Sequence, residues 1–329
     1  MSVLLVGTGP MATAYARVLN ALRVPFIAVG RGADSAKKFR AECGVDSVLG
    51  GLEAFLTGQS TPSGVTAVVA LPISDLAWAT KRLVRAGYRR ILVEKPAGLS
   101  AEEIEDVALA GARADAQIVV AYNRRFYASV MAAQAMIAED GGVTSFHMEF
   151  TEIESRILKS GFPASVLSSW FLANSSHVVD LAFHLGGEPL EMSGMTEGTL
   201  SWHPDGAVFV GHGRTTTGAA FTWHADWLSA GRWGVDIRTP RRRLLLQPLE
   251  QLVVQKKDSF ILEPHPIADE LDREYKPGLY RQVEAFLSGN MSSLLTIAEH
   301  ARRTRNAFAA ICSAPSGRTS RRDIRAASQ

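Results

Sequence analysis

The chain has 329 residues, of which 47% are hydrophobic and 21% charged, and its formal net charge is +2. This ordinary globular composition suits two domains, and the balanced charge gives no reason to expect a polyanionic partner such as nucleic acid. The two cysteines have neither metal nor redox spacing, no apolar run reaches the roughly 18 residues of a membrane span, and the N-terminus lacks the features of a signal peptide, so we expect a cytoplasmic protein.

The first 123 residues alternate between short apolar runs and helical patterns. The runs predict buried parallel strands, and apolar residues at helical spacing between them predict helices. Predicted strands cover residues 3–6, 26–29, 66–70, 91–93 and 118–121, and predicted helices cover 11–22, 35–43, 75–86 and 101–114. This alternation predicts an α/β Rossmann domain, residues 1–123, with a parallel, doubly wound sheet.

The pattern changes after residue 123. Helices are predicted at 126–140, 174–185, 277–288 and 294–311, and strands at 143–150, 200–203, 207–211, 219–224, 233–239, 243–247 and 251–255. Because no helical pattern separates the strands between 195 and 255, they predict a large, mainly antiparallel open sheet. We expect a C-terminal α+β domain, residues 124–329, for substrate binding and oligomerisation, whose last helices are able to pack back on the first domain.

The turn after the first strand has the form G-x-G-x-x-A. Gly7 permits a tight turn, Gly9 lets the backbone approach a pyrophosphate, and an alanine at position 12 allows close packing of helix on strand. The motif follows a predicted strand and opens a predicted helix, whose N-terminal amides suit an anion. We therefore predict a dinucleotide site that includes Thr8, Pro10 and Met11.

The end of the second strand bears on the choice of cofactor. NAD-binding sites usually carry an acid there, but this chain has Gly30 followed by Arg31. An arginine suits a 2′-phosphate, so we predict NADP as the preferred cofactor and NAD as the other candidate. The alternative is that Arg31 stacks on the adenine or faces solvent, and that both cofactors bind.

The fourth strand ends in Glu94-Lys95-Pro96 and therefore places an ammonium at the carboxyl end of a strand, where such folds bind ligands. A lysine beside a nicotinamide suggests proton transfer coupled to hydride transfer at an alcohol carbon. Three further motifs occur in the chain: Leu71-Pro72 after the third strand, Tyr122-Asn123-Arg124-Arg125-Phe126, and His177-x-x-Asp180 before Leu185-Gly186-Gly187.

Together these motifs resemble the glucose–fructose oxidoreductase / inositol dehydrogenase (Gfo/Idh/MocA) family over most of the chain. The resemblance implies that Lys95 contacts both cofactor and substrate and moves the hydroxyl proton. It implies that Glu94, Leu71, Pro72 and Asn123 adjoin the cofactor. Relatives often carry a cis peptide bond before the proline of this turn, which the sequence itself does not settle.

The same resemblance makes His177 the candidate acid/base on the substrate side, since histidine titrates near neutral pH. The family pattern has an aspartate four residues earlier, where this chain has Ala173, with Asn174 next to it. The substrate-side dyad is therefore half present. Asn174 and Asp180 are candidate substrate ligands, although a structural role for Asp180 is an open alternative. No metal is expected, although His177, Asp180 and His184 share a helix face.

Two further residues are candidate substrate contacts. Arg125 is able to bind a carboxylate or phosphate, and the alternative is a surface arginine. Trp170 is able to form the wall of a sugar pocket, and the alternative is a core or subunit contact. The basic run at 241–243 with Lys256 and Lys257 has no interleaved aromatic residues, so it indicates a solvated sheet face.

The resulting hypothesis is an NAD(P)-dependent oxidoreductase acting on a sugar, cyclitol or nucleotide-sugar derivative. Hydride passes between the nicotinamide and a hydroxyl or carbonyl carbon, while Lys95 and His177 handle the proton. A homodimer or homotetramer through the open C-terminal sheet is expected, as in relatives. The alternatives are an imine or enone reductase of the same family, and a non-catalytic NADP-binding redox sensor.

Overall fold

The computed structural model of the protein describes residues 2–57 and 66–313 and contains two sheets. The first sheet is formed by β1 (Val3–Val6), β2 (Phe26–Val29), β3 (Ser47–Val48), β4 (Thr66–Val69), β5 (Arg90–Glu94), β6 (Gln117–Ala121) and β15 (Leu295–Thr296). Their spatial order is β3-β2-β1-β4-β5-β6-β15, and all pairs are parallel except β6 with β15. This order is that of a doubly wound dinucleotide-binding sheet. In such sheets the binding crevice lies outside the carboxyl ends of the strands at the point where the strand order reverses, here between β1 and β4.

The first sheet is buried on both faces, which explains its continuous apolar runs. In β1, Val3 and Leu5 pack into the hydrophobic cluster on one face, and Leu4 and Val6 pack into the cluster on the other. The helices that cover the two faces are α1 (Pro10–Ala21), α2 (Ala33–Cys43), α3 (Gly51–Thr57), α4 (Ile73–Arg85) and α5 (Ala101–Arg113).

The second sheet is mostly antiparallel. Its strands are β7 (Ser145–Phe150), β8 (Pro189–Glu197), β9 (Val208–Thr215), β10 (Ala220–Asp226), β11 (Trp233–Arg238), β12 (Arg242–Leu246), β13 (Val253–Lys256) and β14 (Leu262–Pro264). They lie in the order β14-β13-β12-β11-β7-β10-β9-β8, and β7 and β10 are parallel. Burial alternates along β10, where Phe221, Trp223 and Ala225 are buried and their neighbours are more exposed, so one face of the sheet is packed and the other is open.

The remaining helices all follow β6 in the chain. They are α6 (Ala128–Glu139), α7 (Glu154–Leu158), α8 (Ala164–Ser168), α9 (Ser176–Gly186), α10 (Glu270–Glu274), α11 (Leu279–Ser288), α12 (Ile297–Arg303) and α13 (Ala309–Cys312). A 3₁₀ turn (Asn123–Phe126) leads from β6 into α6, and a π-helical turn (Phe171–Ser175) leads into α9. Helix α9 packs on β7 and β11, whereas α11 packs on α1 and α12 on α5.

The predicted fold class is confirmed, with corrections in detail. Residues 200–203 do not form a strand, because Leu200 and His203 make only an isolated bridge that closes a turn. Strands β3, β8, β14 and β15 and helices α3, α7, α8 and α10 were not predicted. Two of these strands have only two residues each, too few to show a period, and β8 begins at a proline and carries glutamates.

Candidate functional site

The turn between β1 and α1 fits a pyrophosphate. A Cβ on Gly7 would lie 2.2 Å from the backbone oxygen of Ala70, and its φ of +127° also favours glycine. Gly9 is the N-cap of α1 without a side-chain cap, and nothing lies within 4 Å of where its Cβ would be. Pro10 follows at the first helical position. The turn therefore leaves open space in front of helix amides that no side chain covers, as an anion requires.

Thr8 and Gly30 pack against each other at the ends of β1 and β2. The hydroxyl of Thr8 donates to Oγ of Ser35 at 2.9 Å. A Cβ on Gly30 would lie 2.6 Å from that threonine side chain. The glycine is therefore required by the close approach of the two strand ends, whether or not it also contacts a cofactor.

Arg31 lies beyond the end of β2 and is 72% exposed. Its Nη2 donates to Oδ2 of Asp75 at 2.9 Å, in the first turn of α4. That helix starts after Leu71 and Pro72, and Pro72 is its N-cap. The guanidinium thus lies at the rim of the crevice and is paired with Asp75. A 2′-phosphate would have to compete with the Asp75 carboxylate for this guanidinium.

Lys95 occupies the carboxyl end of β5, before a cis peptide bond to Pro96. Its Nζ donates to the backbone oxygen of Ala173 at 2.5 Å, in the π-helical turn before α9. Burial is the main reason that the pKa of Lys95 falls to about 8, and the cations of Arg124 and Lys276 add to this effect. A lysine with a pKa near neutral is able to exchange a proton with a substrate hydroxyl.

Glu94, the last residue of β5, joins the first sheet to α1. The hydroxyl of Tyr15 donates to its Oε1 at 2.7 Å, and the tyrosine is fully buried. Burial raises the pKa of Glu94, while the Tyr15 hydrogen bond and the nearby Lys95 lower it. The glutamate is therefore anchored to the helix that follows the glycine turn.

His177 lies in α9 and is 5% exposed. Its ring meets that of Tyr122 edge-on at 5.5 Å, and its Nδ1 has no hydrogen-bond partner among the described residues. Burial, together with the cations of Arg124 and Lys95, lowers the pKa of His177 well below its ordinary value. The expectation that it titrates near neutral pH is wrong, because a neutral imidazole is favoured where water is excluded and cations are close.

Three charged residues that received no role from the sequence act on the pKa of Lys95, and a tryptophan contacts one of them. The guanidinium of Arg124 lies 4.8 Å above the ring of Trp233 at the start of β11. Lys276 precedes α11, and its charge lowers the pKa of both Lys95 and His177. Glu152 follows β7 and raises the pKa of Lys95. The sequence could have pointed to Glu152, because it lies just after the end of a predicted strand. Nothing in the sequence connects Lys276 with the site.

Asn174 contacts an acid rather than open space. Its Nδ2 donates to the two carboxylate oxygens of Glu152 at 3.1 and 3.3 Å, and Ser175 Oγ donates to the same carboxylate at 2.7 Å. The glutamate is 8% exposed. Burial raises the pKa of Glu152, while the hydrogen bonds from Ser175 and Asn174 lower it.

Arg125 and Asp180, both expected as candidate substrate contacts, form a buried ion pair with each other. The Nε and Nη2 atoms of Arg125 donate to the two oxygens of Asp180 at 2.7 and 2.6 Å, and Nη1 of Arg303 donates to the same acid at 2.7 Å. Arg303 also pairs with Glu188. The aspartate is therefore occupied by two arginines, which leaves it unsuited to a metal ion with His177.

Trp170 and Asn123 also have structural partners. Trp170 is 7% exposed and packs edge-on against Trp202 at 6.3 Å, so its ring belongs to the core more than to a pocket wall. The side-chain amide of Asn123 donates to the backbone oxygen of Pro277 at 2.8 Å. Asn123 thus fixes the segment that carries Lys276, and any contact with a cofactor would be made by its remaining atoms.

The described residues also bear on metal ligation, membrane spans and the basic run. Within residues 2–57 and 66–313, no group of His, Cys, Asp or Glu side chains is arranged to hold a metal ion. None of the helices in these segments has the length and apolar character needed to cross a bilayer. In the basic run at 241–243, Arg242 pairs with Glu139 and Asp140, and Arg243 pairs with Asp236.

No protein-family model and no curated protein sequence matches this chain. Solved structures with the same fold span nearly all of it. UDP-N-acetylglucosamine 3-dehydrogenase GnnA from Acidithiobacillus ferrooxidans is 15% identical with a TM-score of 0.70, and 95% of this chain and 97% of that chain are covered. Levoglucosan dehydrogenase in complex with NADH and L-sorbose is 17% identical with a TM-score of 0.74, covering 94% and 95%.

An oxidoreductase from Agrobacterium radiobacter in complex with NAD⁺, L-tartaric acid and magnesium is 16% identical with a TM-score of 0.73, and 97% of each chain is covered. A parallel dinucleotide-binding sheet followed by a mainly antiparallel sheet is therefore the fold of NAD-binding oxidoreductase structures. At these identities the likeness establishes the fold, and activity has to be argued from the site.

Proposed function

We propose that this protein is an NAD(P)-dependent oxidoreductase of the Gfo/Idh/MocA type that acts on a sugar, cyclitol or nucleotide-sugar derivative. The observation that carries the proposal is Lys95, a lysine with a pKa of about 8 at the end of the strand that lies beside β4 in the nucleotide-binding sheet. The structural neighbours include proteins named as dehydrogenases of UDP-N-acetylglucosamine and levoglucosan, which supports a carbohydrate-like substrate.

A bound nicotinamide would supply or accept the hydride. In the oxidative direction, neutral Lys95 takes the proton of the substrate hydroxyl, and in the reductive direction the ammonium returns it. His177 stays neutral in this proposal and orients the same hydroxyl by a hydrogen bond, since its pKa lies well below the ordinary value. The open space before Gly9 receives the pyrophosphate.

NADP is the proposed preferred cofactor. Support comes from Arg31 at the crevice rim and from the absence of an acid at the end of β2 itself, where the described residues are Gly30 and Arg31. The neighbours bound to NAD⁺ and NADH leave NAD as the second candidate. The same proposal includes a homodimer or homotetramer formed through the open face of the second sheet, and a cytoplasmic location. Sedimentation of the purified chain tests the oligomeric state.

The test is a panel of sugars, cyclitols and nucleotide sugars offered with NADP⁺ and NAD⁺, read by the absorbance of the reduced nicotinamide. A hit should show a primary deuterium isotope effect when the oxidised carbon carries deuterium. Lys95→Met should lower turnover by about 10²–10⁴ while it leaves cofactor binding intact. Turnover of imines or enones alone would favour the reductase reading. Cofactor binding without any turnover would favour the sensor reading.

A further inference from the structure

Glu152 is a buried acid that the proposed mechanism does not use. It lies two residues beyond the end of β7, in the middle of the second sheet, and is 8% exposed. Its carboxylate accepts three hydrogen bonds, two from the amide of Asn174 and one from Ser175 Oγ. A buried carboxylate requires hydrogen-bond donors. Here all three bonds come from two consecutive residues of the π-helical turn, so the carboxylate also holds that turn in place.

The turn that Glu152 holds is the one that receives Lys95. Asn174 and Ser175 follow Ala173, whose backbone oxygen accepts the hydrogen bond from Lys95 Nζ at 2.5 Å. Two residues later comes His177. From the second sheet, the glutamate therefore holds the turn that contacts Lys95 and leads to His177.

The charges around Lys95 come from several elements. Arg124 from the 3₁₀ turn and Lys276 from the segment before α11 disfavour the ammonium, whereas Glu94 and Glu152 favour it. Glu94 is already bound to Tyr15 in α1. Of the two acids, Glu152 is the one whose carboxylate is bound to the turn that accepts the hydrogen bond from Lys95.

We propose that Glu152 is the acidic positioning residue of this site, which holds Asn174 and Ser175 in the turn that contacts Lys95. This inference rests on the proposed oxidoreductase function. It makes the position of the turn that accepts the hydrogen bond from Lys95 depend on an acid that follows a strand of the second sheet.

The test compares three variants for the pH dependence of kcat/KM in the oxidative direction. Glu152→Gln keeps the shape and an acceptor oxygen but removes the charge, so the rising limb should move to lower pH by about one unit. Glu152→Asp keeps the charge and should leave the limb near its wild-type position. Glu154→Gln is the matched control, because Glu154 also accepts a hydrogen bond, from Trp202 Nε1 at 2.8 Å, but does not act on Lys95.

An unshifted limb in Glu152→Gln, with only a lower melting temperature or a higher KM, would overturn the proposal and leave Glu152 a purely structural acid. A shift in Glu154→Gln as large as that in Glu152→Gln would overturn it as well. If no substrate turns over, the proposed function fails by itself. The ionisation of Lys95 is then followed directly by its ¹⁵Nζ resonance, assigned through Lys95→Arg, and the proposal requires a lower pKa in Glu152→Gln than in the wild type.

Discussion

Replacing Arg124 by methionine should move the pH dependence of catalysis in a direction that the structure fixes. The charge of Arg124 lowers the pKa of Lys95, which is about 8. Methionine keeps an apolar side chain against Trp233 but removes the cation, so the pKa of Lys95 should rise. Two charges several ångströms apart at an effective dielectric near 20 interact by roughly 1–3 kcal/mol, which corresponds to about one pKa unit or more.

The sign follows from the form of Lys95 that reacts. Oxidation needs the neutral amine, so kcat/KM should rise as pH passes through about 8 in the wild type and level off above it. In Arg124→Met the limb lies about one unit higher, and the rate below the limb should be about tenfold lower than in the wild type. Above both limbs the two enzymes should converge.

The assay is initial-rate kinetics across pH with saturating cofactor, and Arg124→Lys is the matched control. Lysine retains the charge and loses the planar contact with Trp233, so its limb should stay near the wild-type position. A limb that stays in place in Arg124→Met, or that moves equally in Arg124→Lys, would refute the electrostatic reasoning. Loss of the limb itself is expected in Lys95→Met, with a fall in rate of about 10²–10⁴.

Three further predictions concern cofactor choice, the glycine turn and acid stability. Asp75→Asn frees Arg31 from an exposed ion pair worth about 0.5 kcal/mol, so NADPH should bind at least ~2-fold tighter relative to NADH in a fluorescence titration, and equal gains for both cofactors would contradict this. Gly7→Ala should lower the melting temperature, because the added Cβ would lie 2.2 Å from a backbone oxygen. Gly9→Ala should keep the melting temperature and weaken cofactor binding, since nothing lies within 4 Å of its added Cβ. The reverse pattern would contradict the roles assigned to the two glycines. Burial lowers the pKa of His300 from 6.5 to about 4, so between these pH values the unfolded chain binds a proton that the folded chain does not. The free energy of unfolding should therefore fall by about 3 kcal/mol as the pH drops from 6.5 to about 4. Denaturant titrations of His300→Gln should lack this part of the loss.

Much of the first sheet was predictable because its strands are buried on both faces. Continuous apolar runs such as Val3–Val6 show that burial in the sequence itself. β15 was not predictable, since its two residues join the sheet only after the chain has passed through the whole second sheet. The turn at 200–203 was mistaken for a strand because its apolar residues are buried by tertiary packing rather than by a ladder.

The candidate site divides in the same way. Gly7, Gly9 and Lys95 could be singled out as candidates because the turns in which they lie, directly after β1 and β5, are recognisable in the local sequence. The pairing of Arg125 with Asp180 was not predicted, because residues 55 positions apart in sequence meet only when α9 packs beside the 3₁₀ turn. A buried guanidinium needs a carboxylate partner within the fold, because an unpaired buried charge is strongly destabilising.

The central claim, that a nicotinamide cofactor binds at the crevice of the first sheet beside Lys95, is tested most directly by titrating NADPH and NADH into the purified protein and following the fluorescence. Wild type should bind NADPH more tightly than NADH, and Arg31→Ala should lose roughly 10-fold or more for NADPH with little change for NADH. Failure of the wild type to bind either cofactor would contradict the account as a whole.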